Sequence, residues 1–330
     1  MNRTAATSAR TQRLAAKLLR VLRQGDATAS ELAAALRVSI SETPALADHL
    51  ESLGFDISRN PLLGYHLVSE PSQLCTEAIL SYVEGEWLPN IVTVQSTGST
   101  NTDAIQRGLY EDPGPFILFA EHQTDGRGRL GRSWESPPGE GLWMSFLLRL
   151  RCSPSIFHRI TSLAALALSE SVDSLTGVCS QIKWPNDVVV NGRKIAGILA
   201  ETGNSPQKGP FVVVGVGINV NQTTFPDSIA RSAASLRQIS GSPVNRARLA
   251  GCFIASLGRW LDKIADDFAA ALDGIRARSS VLGNELTLYT GVTSICGRAE
   301  GLSENGELLL RLADGSLRTF NAGEVSLKAL

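Results

Sequence analysis

From His122 to Trp134 the chain reads His-Gln-Thr-Asp-Gly-Arg-Gly-Arg-Leu-Gly-Arg-Ser-Trp, three glycines interleaved with three arginines. Glycine permits positive φ and close backbone approach, so the run is a loop and not the interior of a helix or strand. Each guanidinium offers a planar fork of donors that suits phosphate or carboxylate. A Gly/Arg loop that closes on a tryptophan therefore has the chemistry to wrap a phosphate-bearing ligand, with an aromatic face for a base. A solvated basic loop or a nonspecific nucleic-acid patch would use the same residues.

Three more stretches set polar groups between apolar runs. Ser96-Thr97-Gly98-Ser99-Thr100-Asn101 opens a helix, where its hydroxyls and amide can cap the helix or bind a small polar ligand. Capping is the simpler reading of this motif taken alone. Gln181-Ile182-Lys183-Trp184-Pro185-Asn186-Asp187 is a strand broken by proline. Lys183 can offset charge on a transferring phosphoryl group and Asp187 can hold Mg²⁺, although a surface turn with an incidental ion pair has the same composition. Gly215-Val216-Gly217-Ile218-Asn219 ends an apolar run with small residues that let a ligand lie on the backbone. It lacks the third glycine of a dinucleotide fingerprint.

The elements that must position these groups read as strands at Ile91–Gln95, Phe116–Gln123 and Gly141–Leu150, an Ala/Leu-rich helix at Ile156–Leu175, and a hairpin around Asn191-Gly192. Phe211–Val214 is a further buried strand, and Arg246–Leu272 a long amphipathic helix. Upstream, Leu14, Leu18, Val21 and Leu22 have helical spacing, and Thr28-Ala29-Ser30-Glu31 is a capping box for a second helix. A third helix covers Ser41–Leu53, with Phe55–Arg59 and Tyr65–Val68 as a hairpin. Three helices and a hairpin make the winged helix-turn-helix plan, which also serves as a protein-contact module. Its recognition helix carries Glu42, Asp48 and Glu51 and no Lys or Arg. DNA contacts therefore fall to Arg37 and Arg59 for the backbone and His49 for a base edge. After Leu282 four short strands, with hairpin signals at Asn305-Gly306 and Asp314-Gly315, read as a small β-barrel-like domain.

With 330 residues and 43% hydrophobic content, the chain can bury a substantial core in two or three domains. A net charge of −1 gives no global field for nucleic acid, so any DNA contact is local. Five scattered cysteines without C-x-x-C suggest neither a disulfide framework nor a zinc site. With no signal-peptide core and no apolar run of membrane-spanning length, a soluble cytoplasmic protein is expected.

In type and order the motifs resemble the biotin protein ligases. The matching pieces are Ser99-Thr100-Asn101, Gln123-x-x-Gly126-Arg127-Gly128-Arg129-x-Gly131-Arg132-x-Trp134 and Lys183-Trp184-Pro185-Asn186-Asp187. They continue as Ala196-Gly197-Ile198-Leu199-x-Glu201, Gly215-x-Gly217-Ile218-Asn219 and Gly323-Glu324-Val325-Ser326. The resemblance covers the whole chain and is closest to the bifunctional bacterial form, which also represses the biotin operon. It implies an α+β protein with three parts. These are a winged helix-turn-helix domain at 1–70, a ligase domain at 71–281 built on a mixed β-sheet flanked by helices (class II synthetase-like), and an SH3-like β-barrel at 282–330.

The implied reaction has two steps. Biotin's carboxylate attacks the α-phosphate of ATP, and a lysine of a biotin carboxyl carrier protein domain of acetyl-CoA carboxylase then attacks the resulting biotinoyl-AMP. Such chemistry needs charge neutralisation more than a general base. By resemblance Ser99, Thr100, Asn101, Gln123, Gly126, Arg127 and Lys183 line the biotin site, and Gly215 and Gly217 let backbone lie against its rings. Arg129, Arg132, Trp134, Asn186, Asp187 and Asn219 fall on the nucleotide side, with Trp134 stacking on adenine and Asp187 on Mg²⁺. Lys183 and Arg129 are the catalytic candidates. The glycines of 126–131 suggest a loop that closes over the adenylate. The resemblance implies a homodimer when the adenylate is bound, and the acidic recognition helix makes any operator binding weak and ligand-dependent. Lipoate ligases share this fold and chemistry, and a transcription regulator that only senses the ligand would keep the same layout. The intact arginine loop and Lys183 speak against lost catalysis.

Overall fold

The structure is a computed structural model that describes residues 3–84, 87, 90–111, 114–150, 153, 156–291 and 293–327. Its first unit is three helices and a hairpin. α1 (Arg3–Leu22) buries Ala15, Leu18, Leu19 and Leu22, one helical stripe. α2 (Ala29–Leu36) opens with the expected capping box, and the bonds from Thr28 hold the Glu31 carboxyl below its ordinary range. α2 ends on Arg37 with φ 59°. A 3-10 turn at Ile40–Glu42 leads into α3 (Thr43–Ser52), so the expected third helix divides in two around Glu42 and Pro44. β1 (Asp56–Asn60) and β2 (Gly64–Ser69) pair antiparallel.

A short helix the sequence did not announce, α4 (Thr76–Leu80), joins this unit to the rest. Its residues are all buried, and α1 packs on it. Arg20 donates to the carbonyls of Ser81 and Val83, and Arg23 pairs with Glu70 at 2.7 Å.

The central sheet has seven strands: β3 (Asn90–Thr97), β4 (Phe116–Gln123), β5 (Gly141–Leu148), β6 (Gln181–Lys183), β7 (Asp187–Val190), β8 (Arg193–Ser205) and β9 (Gly209–Asn219). Their order is β3-β4-β5-β9-β8-β7-β6, with β3 and β4 parallel and the other pairs antiparallel. Both faces are covered. α5 (Thr100–Tyr110) packs on one, where Phe116, Leu118, Leu147, Phe211 and Val213 meet Ala104. α6 (Arg159–Thr176) and α8 (Arg246–Leu261) lie together on the other, over Ile117, Phe146, Val212 and Val214. Burial on both faces is why β4 and β5 read as continuous apolar runs rather than alternating ones. α7 (Leu236–Ser240) opens with a capping box from Ser235 to Gln238.

The helix expected over Arg246–Leu272 is interrupted. α8 stops at Leu261, and α9 (Phe268–Ala277) begins after Asp266-Asp267. Aspartate side chains compete for nearby backbone groups and disfavour a helix interior. The start expected at Ile156 moves to Arg159, and residues 151, 152, 154 and 155 lie outside the described residues.

The last unit is one antiparallel sheet of β10 (Glu285–Thr290), β11 (Thr293–Leu302), β12 (Leu308–Arg311), β13 (Leu317–Phe320) and β14 (Glu324–Leu327), in the order β13-β12-β11-β10-β14. β14 was read from the sequence only as a motif. The sheet is tied to the centre by Trp184 Nε1 donating to the Gly306 carbonyl at 3.2 Å and by Arg276 donating to that of Leu302 at 2.9 Å. Among the described residues no helix is long and apolar enough to cross a membrane.

Candidate active site

Burial of Phe116–Ala120 fixes β4, and the Arg246–Glu121 ion pair (2.8 Å, both side chains below 10% exposed) pins its far end. Gln123 and the Gly/Arg loop leave from that end. The loop is stitched to β3 by Thr124 N–H on the Thr97 carbonyl and Asp125 N–H on that of Gly98. It then folds back as a tight hairpin. Arg127 bridges Ser133, Gly128 N–H donates to the Arg132 carbonyl at 2.7 Å, and Trp134 N–H to that of Gly126 at 2.8 Å. Gly126 is required there because a Cβ would stand 2.8 Å from Ser136 Oγ and closer still to the Trp134 carbonyl. Leu130 and Gly131, at φ 55° and 73°, turn the tip.

Beneath the loop lies a cavity of about 1100 Å³. Every biotin-side and nucleotide-side candidate read from the sequence lines it except Gly126, which shapes the loop. Its floor is a buried polar network. Thr100 N–H donates to Gln123 Oε1 at 2.9 Å, and Gln123 Nε2 donates to Ser136 Oγ at 2.9 Å. Ser145 Oγ lies 2.7 Å from Thr100 Oγ1 and 2.6 Å from Asn101 Oδ1. A hydroxyl has one proton, and Asn101 Oδ1 can only accept, so Ser145 donates to Asn101 and accepts from Thr100. Asn101 Nδ2 in turn donates to Glu201 Oε2 at 2.8 Å.

The network corrects two expectations. Ser99 sits at the N-cap of α5, but its side chain makes no cap bond; Thr97 Oγ1 donates to Asp103 instead, at 2.6 Å, and Ser99 faces the cavity. Nor is the space beside Gly215 and Gly217 open: protein side chains stand in it. The space at Gly215 holds the Asn101 amide, and a Cβ at Gly217 would stand 2.5 Å from Trp134 Nε1. The indole therefore lies on the Gly197–Gly217 pair of β8 and β9, with Lys194 Nζ 5.1 Å from its ring centre. Its buried Nε1–H has no hydrogen-bond partner among the described residues.

Five lysines and arginines line the cavity, and their partners divide them. Arg127 faces Glu201 at 3.2 Å, Arg132 faces Glu324 of β14 at 2.7 Å, and Lys194 faces Asp187 at 2.7 Å. Arg129 donates only to a neutral amide oxygen, Asn186 Oδ1, at 2.9 Å, while Asn186 Nδ2 is fixed on the Ile198 carbonyl. Among the described residues, Lys183, half-buried at the end of β6, has no carboxylate partner. Among the described residues, Lys183 and Arg129 are thus the two cavity cations without a carboxylate partner. Asp187, expected on Mg²⁺, carries Lys194, and among the described residues no three of His, Cys, Asp and Glu come together as a metal-ligand set. One committed carboxylate does not fit a resident metal. Asn219 Oδ1 accepts from Gln222 at 3.2 Å.

Sequence reasoning missed Ser136, Ser145, Lys194 and Glu201. Ser145 had a signal: it is the one hydroxyl in Leu142–Leu148, otherwise wholly apolar, and fully buried. The DNA-contact candidates sit outside this cavity. Arg37 is exposed. Arg59 is held by Asp48 and by Glu51 (2.7 Å), so its charge is already matched by the acidic residues of α3. His49, about one-third exposed, has Nε2 2.8 Å from the buried Glu77 of α4, so that nitrogen already has a partner.

The biotin/lipoate A/B protein ligase family model matches residues 92–219, and the biotin protein ligase C-terminal domain model matches residues 285–328. The bifunctional ligase/repressor of Bacillus spizizenii is 31% identical over 288 residues, 84% of this chain and 88% of that protein. The chain belongs to the biotin protein ligase family. The biotin–[acetyl-CoA-carboxylase] ligase of Mycobacterium tuberculosis is 34% identical over 238 residues, 70% of this chain and 86% of that protein. The biotin protein ligase of Aquifex aeolicus, solved with biotin and ATP, superimposes with a TM-score of 0.63 at 31% identity, over 73% of this chain and 99% of that one. In this ligase every cavity candidate from Ser99 to Asn219 lies in the first matched segment, and Glu324, which receives Arg132, in the second.

Proposed function

We propose that this biotin ligase forms biotinoyl-AMP in the 1100 Å³ cavity and transfers biotin to a lysine of a biotin carboxyl carrier protein domain. The observation that carries the reading is the pair of uncompensated cations, Lys183 and Arg129, in a cavity whose other Lys and Arg side chains already face carboxylates. Two free positive charges suit the charge that develops as a carboxylate oxygen bonds to the α-phosphorus and pyrophosphate departs. In the second step the acceptor amine bonds to the acyl carbon and AMP leaves. Burial pushes the Cys75 thiol up to about 11, so it is no rival nucleophile.

The hydroxyl and amide groups of Ser99, Thr100, Asn101 and Gln123, with Arg127, form the end of the cavity suited to biotin's polar ring. Arg129, Arg132, Trp134, Asn186, Asp187 and Asn219 form the nucleotide end, where the indole and its unpartnered N–H meet the base. Magnesium arrives with the triphosphate as MgATP, a substrate. The lipoate reading shares the family model, but the Mycobacterium relative is named for biotin and the Aquifex structure was solved with it. Incubation with ATP, an acceptor domain and either biotin or lipoate tests the choice: biotin is transferred, and transfer of lipoate alone would reject it.

A second activity, biotin-responsive repression, is favoured by one observation. The 84% of the chain matched by the Bacillus ligase/repressor exceeds what residues 71–330 make up, so the match reaches into the N-terminal unit. In this reading residues 1–70 are a winged helix-turn-helix domain, 71–281 the ligase domain and 282–330 an SH3-like barrel. A homodimer formed with the adenylate brings two such domains to an operator.

A further inference from the structure

Glu201, on β8, accepts from two elements distant in sequence. Asn101 Nδ2, at the start of α5, is 2.8 Å from its Oε2, and Arg127 Nη2, in the loop, is 3.2 and 3.5 Å from its two oxygens. From Asn101 the hydrogen bonds run through Ser145, the Thr100 hydroxyl and N–H, Gln123 and Ser136 to the Trp134 carbonyl, the last at 3.1 Å. Trp134 N–H returns to Gly126, the neighbour of Arg127. The path closes on itself: both legs of the arginine loop stand on one polar ring, and Glu201 supplies the acceptor that joins its two ends. Glu201 and Arg127 are the only ionised side chains in the ring.

The protons fix what each partner needs. Asn101 Oδ1 takes the Ser145 proton, so its Nδ2 must find acceptors, and besides Glu201 it has only the Leu199 carbonyl at 3.3 Å. Asn101 is 4% exposed, so an unmet donor there is costly. Arg127 is about two-fifths exposed, and its bond with Glu201 is correspondingly modest. Without Glu201 a third uncompensated cation would face the cavity and compete with Arg129 for phosphate.

We propose that Glu201 is a positioning residue that orients the biotin-site amide of Asn101 and, through Arg127, anchors the arginine loop over the cavity. The assignment of Asn101 to biotin rests on the ligase reading; the anchoring of the loop does not.

The test uses Glu201→Gln and Glu201→Ala in the full chain. Trypsin cuts after arginine, so cleavage at Arg127, Arg129 and Arg132, identified by fragment mass, reports the loop without ligand. Glu201→Gln keeps an acceptor for Asn101 and removes the charge on Arg127. Its loop should be cut up to about fivefold faster, the worth of one half-exposed ion pair, with biotin affinity changed less than that. Glu201→Ala removes both partners and should also weaken biotin binding by about tenfold or more, the effect of one unmet buried donor. Loop cleavage in Glu201→Gln at the wild-type rate overturns the anchoring, whether or not the alanine variant folds. Equal biotin affinity in all three proteins overturns the orienting role. A wild-type chain that binds no biotin would count against the ligase reading, while the tryptic comparison would still decide the anchor.

Discussion

Gly215→Ala places one methyl group where the proposed biotin site has no slack. Its Cβ would stand 2.7 Å from Asn101 Cγ and nearer still to Oδ1, whereas ordinary contact begins at 3.4 Å. Asn101 cannot yield cheaply. Ser145, Leu199 and Glu201 hold its amide at 2.6, 3.3 and 2.8 Å, and Gly215 itself lies mid-strand, paired with Leu199 and Ser145 across the sheet. A shift of most of an ångström breaks at least one of these bonds in a buried site, a cost of about 1–3 kcal/mol, and overpacking adds a similar amount. If the displaced amide belongs to the biotin site, the affinity for biotin falls by at least about tenfold, since 1.4 kcal/mol is a factor of ten. The assay is calorimetric titration with biotin, alongside a thermal melt. Gly98→Ala is the control, because a Cβ there meets nothing within 4 Å in the same polar loop. Wild-type biotin affinity in Gly215→Ala would refute the reasoning and remove Asn101 from the site.

Lys183→Ala should lower the rate of adenylate formation by about 10²–10³, as expected for loss of one charge-stabilising group. Lys194→Ala, whose cation is matched by Asp187, should cost less; the reverse order in a pyrophosphate-release assay would reassign the two lysines. Arg129→Gly should speed biotinoyl-AMP dissociation on the order of tenfold, through loss of a charge-assisted contact, with little change in melting temperature because the residue sits in a glycine-flanked loop. An unchanged off-rate would place Arg129 outside the site. In a mobility-shift titration against the upstream region of its own biotin genes, the chain should bind weakly, with a shallow slope of log K on log salt, and only with biotin and ATP present. α3 has no cation of its own and Arg59 is already matched, so few phosphates are neutralised. Tight binding without ligand would contradict the arrangement of Arg59 and His49.

The sequence made legible what is local. The capping box at Thr28, the apolar runs of β4 and β5, and the Asn191-Gly192 turn follow from propensity and patterning within a few residues. The Gly/Arg loop declared its chemistry because arginines between glycines have few other uses. What stayed hidden depends on strand register and side-chain partnership. Glu201 meets Arg127 only because β8 runs antiparallel to β9 beneath the loop, and Lys194 reaches Trp134 only because glycines at 197 and 217 let the indole settle there. The packing of Asn101 and Trp134 beside Gly215 and Gly217 stayed hidden for the same reason: small residues reveal a close approach, and the sequence does not say what makes it. The His49–Glu77 contact stayed hidden because nothing local announces that α4 brings the buried Glu77 against α3.

The central claim is that this cavity joins biotin to AMP. The most direct measurement is pyrophosphate release from MgATP by the purified chain with and without biotin, in the absence of any acceptor, with the bound product identified by mass. The account predicts biotin-dependent release of one pyrophosphate per chain, retention of biotinoyl-AMP, and loss of both in Lys183→Ala. Pyrophosphate release independent of biotin, or biotin-dependent turnover undiminished in Lys183→Ala, would contradict it.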